Sequence, residues 1–341
     1  MQHVSSAQFQ AAKENRVPPA EAIAEDLWSV AMPIPAGYLG YTLAVVSAPL
    51  GGPAIVIDPG WGSDEALSLL SQFFASIGRR LDDVETIVIT HAHPDHSGLV
   101  ASMMKATGAS LAMNRREQAA LDAERASPLY SAPELREWGL PSTRIDSLVA
   151  EVQAASGGDL PQLQADRLLD DGDVMSTGGR ELTVIETPGH TAGHICLADT
   201  TAGILLSGDH ILPNVFPGIG IGVFTGSNAI DDYLGSLRRT SAFDDFEVVP
   251  GHGFRFRGLA ERSSMAAEKV LHRGGEVAAV VARDPGASIV EIASQLSWRA
   301  GWQTLFDSVL LSTALHQTGI YRDFVRSGGL ERHPPGRDQD F

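Results

Sequence analysis

The order of apolar segments predicts an α/β protein, a sandwich of two sheets with helices outside. Two observations carry that expectation. Strand-like runs at 27–34, 41–47 and 54–57 lead into helical spacing at 64–77, and short β-rich stretches then return at 182–185, 204–206 and 248–249. Three of the later stretches, and the apolar run 86–90 before them, end in histidine or aspartate beside Gly or Pro. At 341 residues the chain exceeds one average domain and can bury a large core.

Residues 1–16 are polar and lack the apolar stretch of a signal peptide, so 1–24 reads as an N-terminal extension and the protein as cytoplasmic. Asp58-Pro59-Gly60 closes the third strand as a turn. In 64–77, Ala66, Leu69, Leu70, Phe73 and Phe74 fall on one helical face, with Asp64 placed near the positive end. A second helix is expected over 98–107. Residues 115–166, rich in Ala, Glu, Gln and Ser and broken by Pro128, Pro133, Pro141 and Pro161, read as an insertion of helices and loops lying over one side of the site. The apolar loop 211–227 follows Asp209 directly and is expected to wall a pocket, as loops on rigid scaffolds do.

The chemistry concentrates in His91-Ala92-His93-Pro94-Asp95-His96. Imidazole nitrogen and carboxylate oxygen suit zinc and its borderline-soft neighbours. His91 and His93 lie two apart and can meet one ion, while Asp95 and His96 turn toward a second. Matching pieces recur at His190 in Thr187-Pro188-Gly189-His190, at Asp209 in Ser207-Gly208-Asp209-His210, and at His252 in Pro250-Gly251-His252-Gly253. Ligands at strand ends are held rigidly, as a preorganised metal centre needs. Cys196, the only cysteine, reads as a buried core thiol and excludes an intrachain disulfide.

In order and spacing these motifs resemble the metallo-β-lactamase-fold hydrolase superfamily over roughly residues 25 to 258. The resemblance implies a four-layer αββα sandwich with catalytic domain 25–258. It implies that His91, His93 and His190 hold one metal, that Asp95, His96 and His252 hold the other, and that Asp209 bridges them. It also implies that Asp58 hydrogen-bonds the ligand loop, beyond capping its own turn. His93 stands where iron-type flavodiiron relatives carry Glu, which argues against oxygen or nitric-oxide reduction. The bridging Asp209 argues against antibiotic hydrolysis as the main activity.

Helices are expected at 260–281, with Gly274-Gly275 as a break, at 287–296 and at 306–318. A small hairpin from 321–325, 327–329 and 330–332 would complete a winged-helix-like domain, 259–341, of the kind appended to some members of this superfamily. From Ala260 onward nine Lys and Arg face ten Asp and Glu. A DNA-reading module presents a positive face, so this one reads as a structural or dimerising cover for the site. The apolar face Leu310, Leu311 and Leu315 is expected to pack on the catalytic domain or on a second chain.

The formal net charge of −17 disfavours nucleic acid and anionic membranes as partners, and no apolar run is long enough for a transmembrane helix. Two divalent ions, zinc expected, about 3.5–4 Å apart would share a water and lower its pKa toward neutrality. The hydroxide would attack a small-molecule ester, thioester or lactone, with Asp95 orienting it. His194 is expected to orient a ligand. His210 is a candidate proton donor, unless chain alternation turns it away. Alternatives on the same metal centre are a phosphodiesterase or RNA endonuclease, which calls for a basic track, and a hydrolytic dehalogenase. A catalytically idle DNA-binding regulator is opposed by the complete ligand set.

Overall fold

The computed structural model describes residues 1–34, 39–126, 130–155, 163–224 and 227–334. Pro128 and Pro161, residues 225–226 of the expected loop and 335–341 of the C-terminal region lie outside the described residues.

Strands β1 (Gln2–His3), β2 (Glu21–Ala24), β3 (Leu27–Pro33), β4 (Tyr41–Ser47), β5 (Ala54–Ile57), β6 (Val84–Val88) and β7 (Ser110–Asn114) occupy the first third of the chain. Then come β8 (Arg167–Leu169), β9 (Val174–Thr177), β10 (Arg180–Glu186), β11 (Ile195–Asp199), β12 (Ile204–Gly208), β13 (Glu247–Pro250) and β14 (Phe256–Arg257). They form two seven-stranded sheets, one running β2 to β8 in chain order and one ordered β1-β14-β13-β12-β11-β10-β9. Helices α1 (Ser6–Lys13), α2 (Asp64–Ser76), α3 (Pro94–Ser97), α4 (Val100–Thr107), α5 (Arg115–Ala126), α6 (Ala132–Glu137) and α7 (Ser142–Ala155) accompany the first half. The second half carries α8 (Ala229–Thr240), α9 (Leu259–Arg283), α10 (Ile289–Ser294), α11 (Trp302–Phe306), α12 (Leu310–Arg326) and α13 (Gly329–Arg332).

The period of two in each strand sorts the layers. Val45, Ile55 and Ile57 face the other sheet, meeting Leu182, Val184, Leu197 and Leu206. Their neighbours Ala44, Val46, Ala54 and Val56 turn outward onto Leu70, Phe74 and Met103 of α2 and α4. Strands buried on both faces read as continuous apolar runs, as these do. On the far side Ala198, Leu205 and Val248 pack against Ile230 and Leu234 of α8 and Val270 of α9. The result is the expected αββα sandwich. Helix α2 starts where the Ser63 side chain accepts the Ala66 N–H, with Asp64 and Glu65 in its first turn.

Three regions depart from expectation. Residues 1–24 are no free extension, because β1 pairs with β14 and β2 with β3 as edge strands. Helix α9 runs unbroken through Gly274, where a Cβ would come within 3.1 Å of Leu330, so the glycine admits a close neighbour. The hairpin of the winged-helix reading is absent. Residues 321–325 continue α12, since Leu311, Ala314, Leu315, Thr318, Tyr321 and Phe324 keep one buried helical stripe, and 330–332 fall in α13.

The C-terminal helices and the 115–166 segment share a small core. Leu135, Leu140, Ile145 and Leu148 pack on Ile289, Ala293, Leu311 and Leu315, where each truncation of a buried Leu to Ala costs about 2–5 kcal/mol. Arg144 fastens the two, its Nε donating to the Phe306 carbonyl at 3.0 Å. Leu310 stays largely exposed at 62%. No described helix is long and apolar enough to cross a membrane.

Candidate metal centre

All the sequence-predicted ligands lie at one edge of the sandwich, just past the ends of β6, β10, β12 and β13. In a first nest, His91 Nε2 lies 2.9 Å from His93 Nδ1, and His190 Nε2 lies 3.0 Å from that same nitrogen. In a second, His96 Nε2 lies 3.1 Å from His252 Nε2, which stands 3.2 Å from Asp95 Oδ2. Asp209 sits between them. Its Oδ1 is 3.4 Å from the Nε2 atoms of both His96 and His252, and its Oδ2 is 3.7 Å from His190 Nε2.

This donor set fits cations. No placement of protons pairs all the nitrogens, because one His93 Nδ1 faces two Nε2 atoms. Asp209 Oδ1 is buried with its nearest nitrogens beyond good hydrogen-bond distance. Burying such lone pairs without a partner is costly. Gly251 preserves the space, since a Cβ there would run into Asp209 Oδ1.

Neighbouring groups hold the rings. His190 Nδ1 donates to the Gly218 carbonyl at 2.6 Å and His252 Nδ1 to the Tyr41 carbonyl at 2.7 Å. A carbonyl can only accept, so each Nδ1 carries a proton and each Nε2 is the ring atom turned inward. His96 Nδ1 donates to Asp58 Oδ2 at 2.8 Å, and Asp58 also accepts the N–H and the hydroxyl of Thr90, both at 2.7 Å. Asp58 takes φ +51°, a left-handed conformation rare outside glycine, to point its carboxylate there. His194 Nε2 accepts the backbone N–H of Asp209 at 3.1 Å, so its ring faces the Asp209 turn and not the nests.

The two nests differ in charge. Burial, reinforced by the other imidazoles, drives His91 well below the ordinary histidine value and His93 down to about 3. Burial lowers His190 as well. In the second nest burial also opposes protonation, but carboxylates outweigh it. Asp58, Asp209 and Asp95 hold His96 well above its usual value, and Asp209 and Asp95 bring His252 to about 9.

A profile described as the metallo-beta-lactamase superfamily matches residues 38–252. The chain belongs to that superfamily. It is a metal-dependent hydrolase of the metallo-beta-lactamase fold. Acyl-coenzyme A thioesterase MBLAC2 of Gallus gallus is 34% identical over 195 residues, covering 55% of this chain and 62% of that one. The chain therefore spans less than two thirds of that relative's length. Hydroxyacylglutathione hydrolase of Cereibacter sphaeroides is 28% identical over 250 residues, 70% of this chain and 78% of that enzyme. A metallo-beta-lactamase family protein from Thermus thermophilus superposes with a TM-score of 0.73 at 24% identity, covering 90% of this chain and 95% of that one. It shares the fold.

Within this superfamily fold, a cavity of about 360 Å³ opens beside His93. Leu121 of α5, Val152 of α7, Ile221 and Val223 of the loop after Asp209, and Val309 before α12 give it mostly apolar walls, with Glu117, Glu124 and Tyr130 also on its lining. Among the described residues no Lys or Arg lines it. The loop 211–227 and the 115–166 segment thus both reach the site.

The structure does not bring His210 into the site, so the proton-donor expectation is corrected. Its ring is fully buried, with Nε2 3.1 Å from Thr240 Oγ1 of α8, on the opposite side of the chain from the adjacent Asp209. Cys196 is likewise fully buried, and burial pushes its thiol up to about 12. Sequence reasoning missed Glu117. This buried carboxylate in the first turn of α5 accepts the Ala92 N–H, the Thr191 hydroxyl and the Gly193 N–H. Arg115-Arg116-Glu117-Gln118 reads as a solvated helix face, and no local pattern marks the third residue as buried.

Proposed function

We propose that this chain is a two-ion, zinc-dependent hydrolase of small-molecule thioesters with an apolar acyl group. The observation that carries this reading is the mostly apolar, cation-free cavity opening directly beside His93 of the first nest. Its walls suit an uncharged acyl chain. A phosphodiester would call for Lys or Arg against its phosphate, and the same deficit, with the net charge of −17, speaks against nucleic acid as a partner. Relatives described as an acyl-coenzyme A thioesterase and a hydroxyacylglutathione hydrolase point to the thioester bond.

His91, His93 and His190 would hold one ion and Asp95, His96 and His252 the other, with the Asp209 carboxylate lying between the two nests. Bound there, the ions supply a water of lowered pKa and a Lewis acid for the carbonyl oxygen. Asp95, whose Oδ2 stands beside His252 Nε2, would orient the attacking water as well as hold the ion. Asp58 fixes the His96 ring and His194 the Asp209 turn. The position of His210 bears on the leaving group. A thiol has a pKa near about 8.5, so it departs as thiolate without a proton donor, whereas an alkoxide needs one.

The test is a series of acyl thioesters of rising chain length, with bis-nitrophenyl phosphate alongside, on zinc-loaded protein. The expected kcat/KM rises about fourfold per methylene until the cavity is filled, at about 0.8 kcal/mol each. Turnover of the phosphodiester with none of the thioesters would sink the proposal.

A further inference from the structure

We infer that Glu117 is a positioning residue for the first nest, holding its two loops at the spacing an ion needs. The inference rests on the two-nest reading above. His91 and His93 leave β6 of one sheet, while His190 lies between β10 and β11 of the other, so this nest straddles the sandwich. Its geometry therefore depends on whatever fixes one sheet's loop against the other's. One such link is the Ile195 N–H donating to the Thr90 carbonyl at 3.0 Å.

Glu117 supplies the rest from a third element. Its Oε1 accepts the Ala92 N–H at 2.8 Å, between the two histidines of one loop. Its Oε2 accepts the hydroxyl of Thr191, next to His190, at 2.8 Å, and the Gly193 N–H at 2.9 Å. Gly193 lets α5 approach this closely, since a Cβ there would collide with the Glu117 backbone. The residue is only 4% exposed, at the edge of the cavity. An ionised carboxylate is an acceptor at both oxygens, which is what three donors from two loops require. An amide would turn its NH2 group against the Ala92 N–H in one orientation and the Gly193 N–H in the other. Helix α5 also carries Leu121 into the substrate cavity, so one helix sets both the pocket wall and the ligand spacing.

The test is zinc titration of metal-free protein against a competing chelator. E117Q in an H252A background reads the first nest, and E117Q in an H190A background reads the second. The first nest is expected to weaken about 10- to 100-fold, the usual scale for a group that orients ligands, and the second to change less than threefold. Asp122→Asn, on the exposed side of α5, is the control and leaves both nests as they are. Equal weakening of both nests would mark Glu117 as a general structural residue and overturn the inference, as would no change in either. If E117Q does not fold, Thr191→Val removes one of the three donors, and an unchanged first nest in that variant overturns the inference as well. A wild-type chain that takes up no ion overturns the two-nest reading itself and this inference with it.

Discussion

The two nests use the same residue types in different proportions, and they are held by different forces. In the first, three neutral imidazoles face one another, kept unprotonated by burial, with His93 at about 3. Its loops are tied by uncharged backbone and hydroxyl donors to Glu117 and by the Gly218 carbonyl. In the second, His96 and His252 stand among Asp58, Asp95 and Asp209, whose carboxylates hold His96 well above its usual value and His252 at about 9. Metal ligands must be deprotonated before they bind. An ion therefore enters the first nest without displacing protons and must displace them from the second. Burial prepares one site and charge the other.

The largest effect is expected where the nests join. Asp209→Ala removes the carboxylate common to both and loosens both ions, while His190→Ala empties only the first. Each change should lower hydrolysis by about a thousandfold, the scale of about 4 kcal/mol of lost metal-dependent stabilisation. Elemental analysis should show the difference between them, and full activity in Asp209→Ala would refute the shared-carboxylate reading.

A smaller effect separates the two forces. Asp58→Asn takes a full charge from His96 and keeps the size, so zinc affinity should fall about 10- to 100-fold in the second nest. The first nest should weaken less, because Asp58 reaches it only through the Thr90 hydroxyl beside His91 Nδ1. Greater loss from the first nest than from the second in a titration would overturn this division of forces.

Acidity gives a milder test on the metal-free protein. His252 is raised from 6.5 to about 9, so its contribution to stability is fully present below pH 6.5 and is lost as pH rises through 9. His93 is lowered from 6.5 to about 3, so its contribution is present above pH 6.5 and is lost as pH falls toward 3. Melting temperatures across this range should peak between the two limbs. His252→Ala should flatten the alkaline limb and His93→Ala the acid one. Both variants flattening the same limb would erase the distinction.

How much of this was legible in the sequence follows from how local each signal is. His91 to His96 declare themselves within six residues, and His190, Asp209 and His252 each carry a Gly-marked turn after a β run. Gly251 and Asp58 belong to that same local code. What supports the first nest is non-local. Glu117 meets Thr191 across 74 residues of chain and Gly193 across 76, and nothing near it signals burial. The misread hairpin failed for a related reason. Tyr321 and Phe324 favour strands by type, and only their register with Leu311 and Leu315 shows that they extend a helix. His210 was ambiguous because adjacency to Asp209 says nothing about which way the next side chain turns.

The smallest effect is expected at Cys196, and it bears on what the first nest is made of. The thiol lies in β11 behind that nest, with Sγ 3.4 Å from Thr187 Oγ1, the hydroxyl that also contacts His194 Nδ1 at 2.8 Å. A thiolate ligand would make the nest softer and redox-sensitive. Burial instead pushes the thiol up to about 12, so at pH 8 about one molecule in ten thousand carries the thiolate. Iodoacetamide should therefore leave the native protein unlabelled at pH 8 and react once it is unfolded in guanidinium. Cys196→Ala should cost about 1 kcal/mol of stability from the small void, with zinc content and most of the activity retained. Rapid labelling of the native protein, or loss of one zinc in the alanine variant, would place sulfur in the first nest and break its description as a set of neutral imidazoles.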